Sequence, residues 1–226
     1  MSGVRAACIA NPNEWQVIEA GAARDKSVFD QTDFIQSLPV HYHQENKPYC
    51  TVYSMLSALV WLFGDIRVPD LLLENLEALV HVSSGVHNRD GRCPRMAAIR
   101  DLFSSKAKKL YDVKSFYTRR CNSGSTASEL RTLAPDKHDI LLVQLMGSDG
   151  SINHAVALVW ANDGHGGRAQ FIIDSNEEFA VQSSERALAL VNNSTAVLGW
   201  KMVLCLHPKP SIVNSSARLA RTKLLC

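Results

Sequence analysis

Neither a Cys-x-x-Cys pair nor any repeated cysteine spacing occurs among Cys8, Cys50, Cys93, Cys121, Cys205 and Cys226. Zinc ribbons need closely paired ligands and disulfide frameworks need regular spacing, so both are excluded and the thiols are expected to be mostly free. Nor is there an excess of charge of one sign: 24 basic and 22 acidic residues, interspersed along the chain, leave a formal charge of +2. Such a chain presents no strong field to a phosphate backbone, and nucleic acid is not an expected partner. No stretch approaches the ~20 apolar residues of a membrane span, and Met1 to Asn13 lacks the apolar run of a secretory signal. A cytoplasmic or host-cell intracellular location is therefore expected, and the sequons beginning at Asn192, Asn193 and Asn214 read as chance matches.

What the chain does have is 46% apolar residues over a length of 226, enough for one sizeable core without a staple. Residues 1–40 carry no long period. Trp15 to Ile18 reads as a short strand, and Phe29 to Leu38 as a segment wrapping the core surface. From Cys50 to Phe63 the chain is free of charge and carries Val52, Met55, Leu56, Leu59 and Val60, too continuous for a surface helix. That predicts a buried central helix. Further helices are predicted over Val68 to Val80, over Pro94 to Leu110 with lysines gathered near its end, and up to Leu133 with Thr126 or Ser128 as cap. Val113 to Thr118 reads as a strand. The texture turns to β from Asp139 onward, with strands predicted over 140–146, 152–160, 169–173 and 196–206. Helices first and antiparallel strands second make an α+β fold. One domain is expected over 1–208, made of an arm (1–40), a mainly helical part (41–135) and a β part (136–208). Residues 209–226 form a loosely ordered tail.

Three reactive groups fall at element ends. Cys50 opens the apolar helix, where unsatisfied backbone N–H groups and the positive end of the dipole stabilise a thiolate. His154 stands at the mouth of a strand. A hairpin turn centred near Gly164 sets Asp174 directly opposite His154, on the same sheet face and close enough to hold the imidazole in one tautomer. Asn176 is the alternative orienting residue. Gln44, a tight loop before Cys50, supplies an amide that can join the Cys50 backbone N–H in binding an oxyanion. Taken singly, each is ordinary: a cysteine at a helix start is usually a core thiol, and a histidine on an apolar strand is usually a satisfied core residue. Their conjunction is what points to a cysteine nucleophile. His41 and His43, with Cys50 or Cys93, lack a fourth ligand at zinc spacing, so no metal site is expected and the two histidines are read as groove-lining or solvated. Cys93 also opens a helix but has no upstream glutamine. His87 and His165 read as loop residues.

On these residues the chain resembles the papain-like cysteine peptidases. Ile152 to Val159 is similar to the Asn/Asp-His-Ala-Val strand of that superfamily, the Gln44 to Cys50 interval to its oxyanion glutamine and nucleophile, and Asp174-Ser175 to its Asn-Ser pair. The resemblance covers roughly Gln44 to Asn176. Tyr49-Cys50-Thr51 stands where papain has Cys-Gly-Ser-Cys-Trp, Asp174 replaces the orienting Asn, and Asn176 replaces the shielding tryptophan. Asp in that position is similar to the cytosolic branch of the superfamily. The resemblance implies a two-lobed fold, no cofactor, and hydrolysis of a peptide or isopeptide bond in a protein substrate, a ubiquitin-like conjugate or the chain's own polyprotein among the options. A thiol acyltransferase or transglutaminase-like enzyme uses the same parts, and a catalytically inactive binding module keeps the same fold.

Overall fold

In a computed structural model the described residues are 35–37, 50–63, 94–121, 125–147, 154–163, 167–177 and 179–211. They comprise four helices, α1 (Cys50–Phe63), α2 (Pro94–Ser105), α3 (Thr126–Leu133) and α4 (Glu185–Val191). Seven strands complete them: β1 (Ile35–Ser37), β2 (Tyr111–Arg120), β3 (Ile140–Gly147), β4 (His154–Asn162), β5 (Arg168–Ile173), β6 (Phe179–Gln182) and β7 (Val197–Pro208). All strands join one antiparallel sheet in the order β1-β6-β5-β4-β3-β7-β2. The fold is α+β.

Helices cover both faces of this sheet. An antiparallel sheet usually keeps one wet face and alternates apolar with polar residues; β3 instead runs Ile-Leu-Leu-Val, because both faces are dry. Alternate side chains of β3 enter different cores. Ile140 and Leu142 pack with Met55, Leu56 and Leu59 of α1 and with Ile99 and Phe103 of α2. Leu141, Val143 and Leu145 pack with Leu130 of α3 and Leu188 of α4. The first core explains why α1 carries no charge. Val52, Met55, Leu56 and Leu59 are completely or almost completely buried, and each such side chain contributes about 1.5–3 kcal/mol by leaving water.

Several elements differ from their sequence expectations. Helix α2 stops at Ser105, short of Leu110, because the Ser105 hydroxyl bonds back to the Asp101 and Leu102 carbonyls. Lys106, Lys108 and Lys109 thus lie beyond the helix end, and β2 begins earlier and runs longer than predicted. At α3 the N-cap is Ser125, neither Thr126 nor Ser128. Thr126 turns its hydroxyl to the Val197 carbonyl, and a carboxylate oxygen of Glu185 accepts from the Ala127 N–H, so a neighbouring helix supplies the cap. Within 29–38, Ile35–Ser37 is a strand that extends the sheet edge. Strand β6 and helix α4 have no counterpart in the sequence reading. Helix α4 is capped by Ser184, whose hydroxyl accepts from the Ala187 N–H, and it is followed by Asn193 at φ 50°, a left-handed conformation that Asn tolerates. The strand at 15–18, the helix at 68–80, the loop at 83–92 and most of the 209–226 tail lie outside the described residues.

Leu142 sits where α1 meets the middle of the sheet and has no exposed surface. We expect Leu142→Ala to lower unfolding free energy by about 2–5 kcal/mol, read as a shifted urea midpoint at unchanged slope.

Candidate active site

The first residue of α1 is Cys50 and the first residue of β4 is His154, while Asp174 directly follows β5. Helix α1 packs across β4, β3 and β5, which brings its N-terminus to the end of the sheet where β4 starts and β5 stops. Local rules set each position. Among the described residues Cys50 begins the apolar run, and its backbone N–H is one of the four that a helix start leaves without an internal partner. Asp174 is held by a short turn in which the Asn176 N–H donates to Asp174 Oδ1 at 2.9 Å.

Ring and carboxylate meet there. His154 Nε2 lies 2.6 Å from Asp174 Oδ1, and the two side chains are 8% and 2% exposed. Of the two orienting candidates, Asp174 provides the carboxylate, while Asn176 contributes its backbone N–H to the same oxygen. The expected direct opposition of His154 and Asp174 is corrected. Ala157 faces Ile173 and Asn162 faces Arg168, so the register runs two residues further along β5 than expected and sets Asp174 opposite Val156. The cause is the turn, whose centre falls one residue later: the Asp163 N–H bonds the Gly167 carbonyl, and the Asp163 carboxylate accepts from the Gly167 N–H at 2.9 Å. A Cβ on Gly167 would meet Asp163 Oδ2 at 2.5 Å, so glycine suits this close approach. Because the shift is an even number of residues, Asp174 keeps its face and reaches His154 as a diagonal neighbour.

Burial alone would lower the His154 pKa; the Asp174 charge and hydrogen bond outweigh it, and with a smaller contribution from Cys50 they raise the imidazole to about 10. Burial alone would likewise push the Cys50 thiol up. The hydrogen bond and positive charge of His154 reverse that, helped by the Ala155 backbone N–H and the Thr51 hydroxyl, and the thiol ends below its ordinary value. The two shifts run the same way, each favouring a thiolate beside an imidazolium. With Nε2 against the carboxylate, the second ring nitrogen is the one available to the sulfur.

Gln44, His41, His43, His87, Cys93 and His165 lie outside the described residues. Cys50, Cys121 and Cys205 are free thiols, and no cluster suited to a metal ion occurs among the described residues. A second Cys-His-Asp group escaped sequence reasoning. His207 Nδ1 lies 2.7 Å from buried Asp139, beside Cys205, along a cavity of about 640 Å³. It is at the opposite end of β3 from His154, roughly 20 Å away at the rise of an extended strand. There burial and the Asp139 charge push the Cys205 thiol up to about 12, so this sulfur stays protonated. Residues of one strand two apart, Cys205 and His207, were the available signal, but their partner Asp139 is set only by strand order.

No family model matches the chain, and no curated protein matches it. Among solved structures it is similar to the Pseudomonas avirulence protein AvrPphB, at 14% identity and a TM-score of 0.42, over 75% of this chain and 97% of that one.

Near neutral pH, iodoacetamide should modify Cys50 well before Cys121 and Cys205, with Cys205 reacting only after unfolding. Peptide mapping by mass spectrometry checks the order; equal rates for Cys50 and Cys205 would contradict the electrostatic assignment.

Proposed function

We propose that this chain is a papain-like cysteine peptidase, two-lobed over residues 1–208, that hydrolyses a peptide or isopeptide bond through a Cys50 acyl-enzyme. The observation that carries the reading is the single imidazole that meets Asp174 at 2.6 Å on one side and acts on Cys50 on the other. A base held by a third group and facing a thiol at a helix start is the arrangement of an activated nucleophile.

The chemistry then runs in two halves. The Cys50 thiolate adds to the substrate carbonyl, forming the S–C bond. Negative charge develops on the carbonyl oxygen, where the Cys50 backbone N–H and the Gln44 amide donate to it. His154 passes its proton to the leaving amine as the C–N bond breaks. In the second half neutral His154 takes a proton from water, hydroxide adds to the thioester, and the acid product leaves with the thiolate and imidazolium restored. Asp174 keeps the ring in place throughout.

The pH dependence follows from the two shifts. Below the lowered Cys50 pKa the thiol is protonated and cannot attack; above about 10, the raised His154 value, the ring is neutral and has no proton for the amine. Turnover of a cleaved peptide should therefore give a bell whose acid limb lies under the ordinary thiol range and whose alkaline limb lies near 10. An alkaline limb at the usual histidine value would contradict it.

Peptide-type and ubiquitin-type electrophilic warheads should label Cys50, and His154→Ala should slow labelling near neutral pH by about 10²–10⁴-fold, the range for one acid–base group. Products made with and without an added amine distinguish hydrolysis from acyl transfer. Absence of labelling in the reduced wild-type protein would contradict this reading and favour a catalytically inactive binding module.

A further inference from the structure

Ser54 lies one helical turn after Cys50, so both side chains leave α1 on the same side. It has no exposed surface. Its hydroxyl accepts from the Ser175 N–H at 3.2 Å and donates to the Ala155 carbonyl at 3.4 Å. Those two backbone groups belong to each other in the β4–β5 ladder. The Asp163 N–H bonds the Gly167 carbonyl and Ala157 faces Ile173. Doubly bonded pairs recur at every second residue of an antiparallel pair, and continuing this register makes Ala155 and Ser175 the next one. There the Ser175 N–H would donate straight to the Ala155 carbonyl, and the Ala155 N–H to the Ser175 carbonyl. The paired residues end instead at Ala157 and Ile173, with the Ser54 hydroxyl standing between the two partners. The Ala155 N–H acts on the Cys50 sulfur. The Ala155 carbonyl thus accepts from Ser54, while its N–H bears on the thiol four residues earlier on α1.

We propose that Ser54 is a positioning residue whose hydroxyl opens the end of the β4–β5 ladder and ties α1 to both strand ends, fixing Cys50, His154 and Asp174 relative to one another. The role rests on the reading of Cys50 as the nucleophile. Removing the hydroxyl has two possible structural results. Either the ladder closes by one pair and draws the Ala155 N–H away from the sulfur, or the Ser175 N–H and the Ala155 carbonyl are left buried without this partner. Both loosen the coupling between sulfur and ring. Among the buried hydroxyls of α1, that of Ser54 reaches both β4 and the turn after β5.

The test is the rate of Cys50 alkylation against pH, mapped by mass spectrometry, for wild type, Ser54→Ala, Ser54→Val and Ser54→Thr. Thr and Val match in volume and differ in the hydroxyl. The wild type should show an acid-shifted limb. Ala and Val should be about tenfold slower near pH 6 and converge with wild type at high pH, while Thr keeps the wild-type limb, since one buried hydrogen bond is worth about that factor. Ala and Val variants with the wild-type limb overturn the proposal. A wild type without an acid-shifted limb overturns the nucleophile reading itself, a different signature. Should Ala and Val not fold, amide exchange at Ser175 in the wild type decides: protection like that of the Ala157–Ile173 ladder supports the wedge, and exchange like that of an open loop overturns it.

Discussion

A carboxylate taken out of water has to be compensated, and at Asp174 the compensation is the His154 ring 2.6 Å away. Burying such a pair costs several kcal/mol per ion before attraction returns it, so neither group is stable there without the other. The remaining features of this end of the molecule follow from that constraint. The Asn176 N–H adds a second donor to the same Asp174 oxygen, and the charged ring in turn makes a thiolate at Cys50 easier to bear than a buried sulfur anion would otherwise be. Cys205 is the internal contrast. The same burial that Cys50 overcomes, together with the charge of Asp139, of the wrong sign, leaves Cys205 at about 12.

The sheet supplies the geometry. Two dry faces make β3 and β4 rigid central strands, and α1 lies across them with an uncharged surface, so the position of Cys50 is set by packing rather than by a loop. Ladder, helix and turn then converge at Ala155 and Ser175, where strand pairing gives way to side-chain contacts. A thiol on a helix and an imidazole on a strand are brought together by a junction of this kind.

Legibility in the sequence divides along physical lines. Helix α1 was readable because fourteen residues without charge can only be interior, and the strands from Ile140 onward because their apolar content is dense and punctuated by glycine-rich turns. Cys50, His154 and Asp174 were readable because each marks an element end. The face of Asp174 was readable too, since parity survives a two-residue slip; the register was not, because it depends on how the Asp163 backbone and carboxylate bond the Gly167 backbone across the turn. Strand β6, with four residues, and α4, with seven, carry too little pattern to stand out and exist through their partners. The end of α2 was misplaced because Ser105 bonds backward along the helix, an option that composition does not reveal. The Asp139–His207 pair required the strand order, which no local pattern encodes.

The central claim is that His154 is a cation held by Asp174 at ordinary pH. Nuclear magnetic resonance of the ring nitrogens, with assignment by a His154→Gln variant, tests it most directly. The account predicts both nitrogens protonated at about pH 8 and release of the proton only near 10. A ring that is neutral at about pH 8 and titrates at the ordinary histidine value would contradict it.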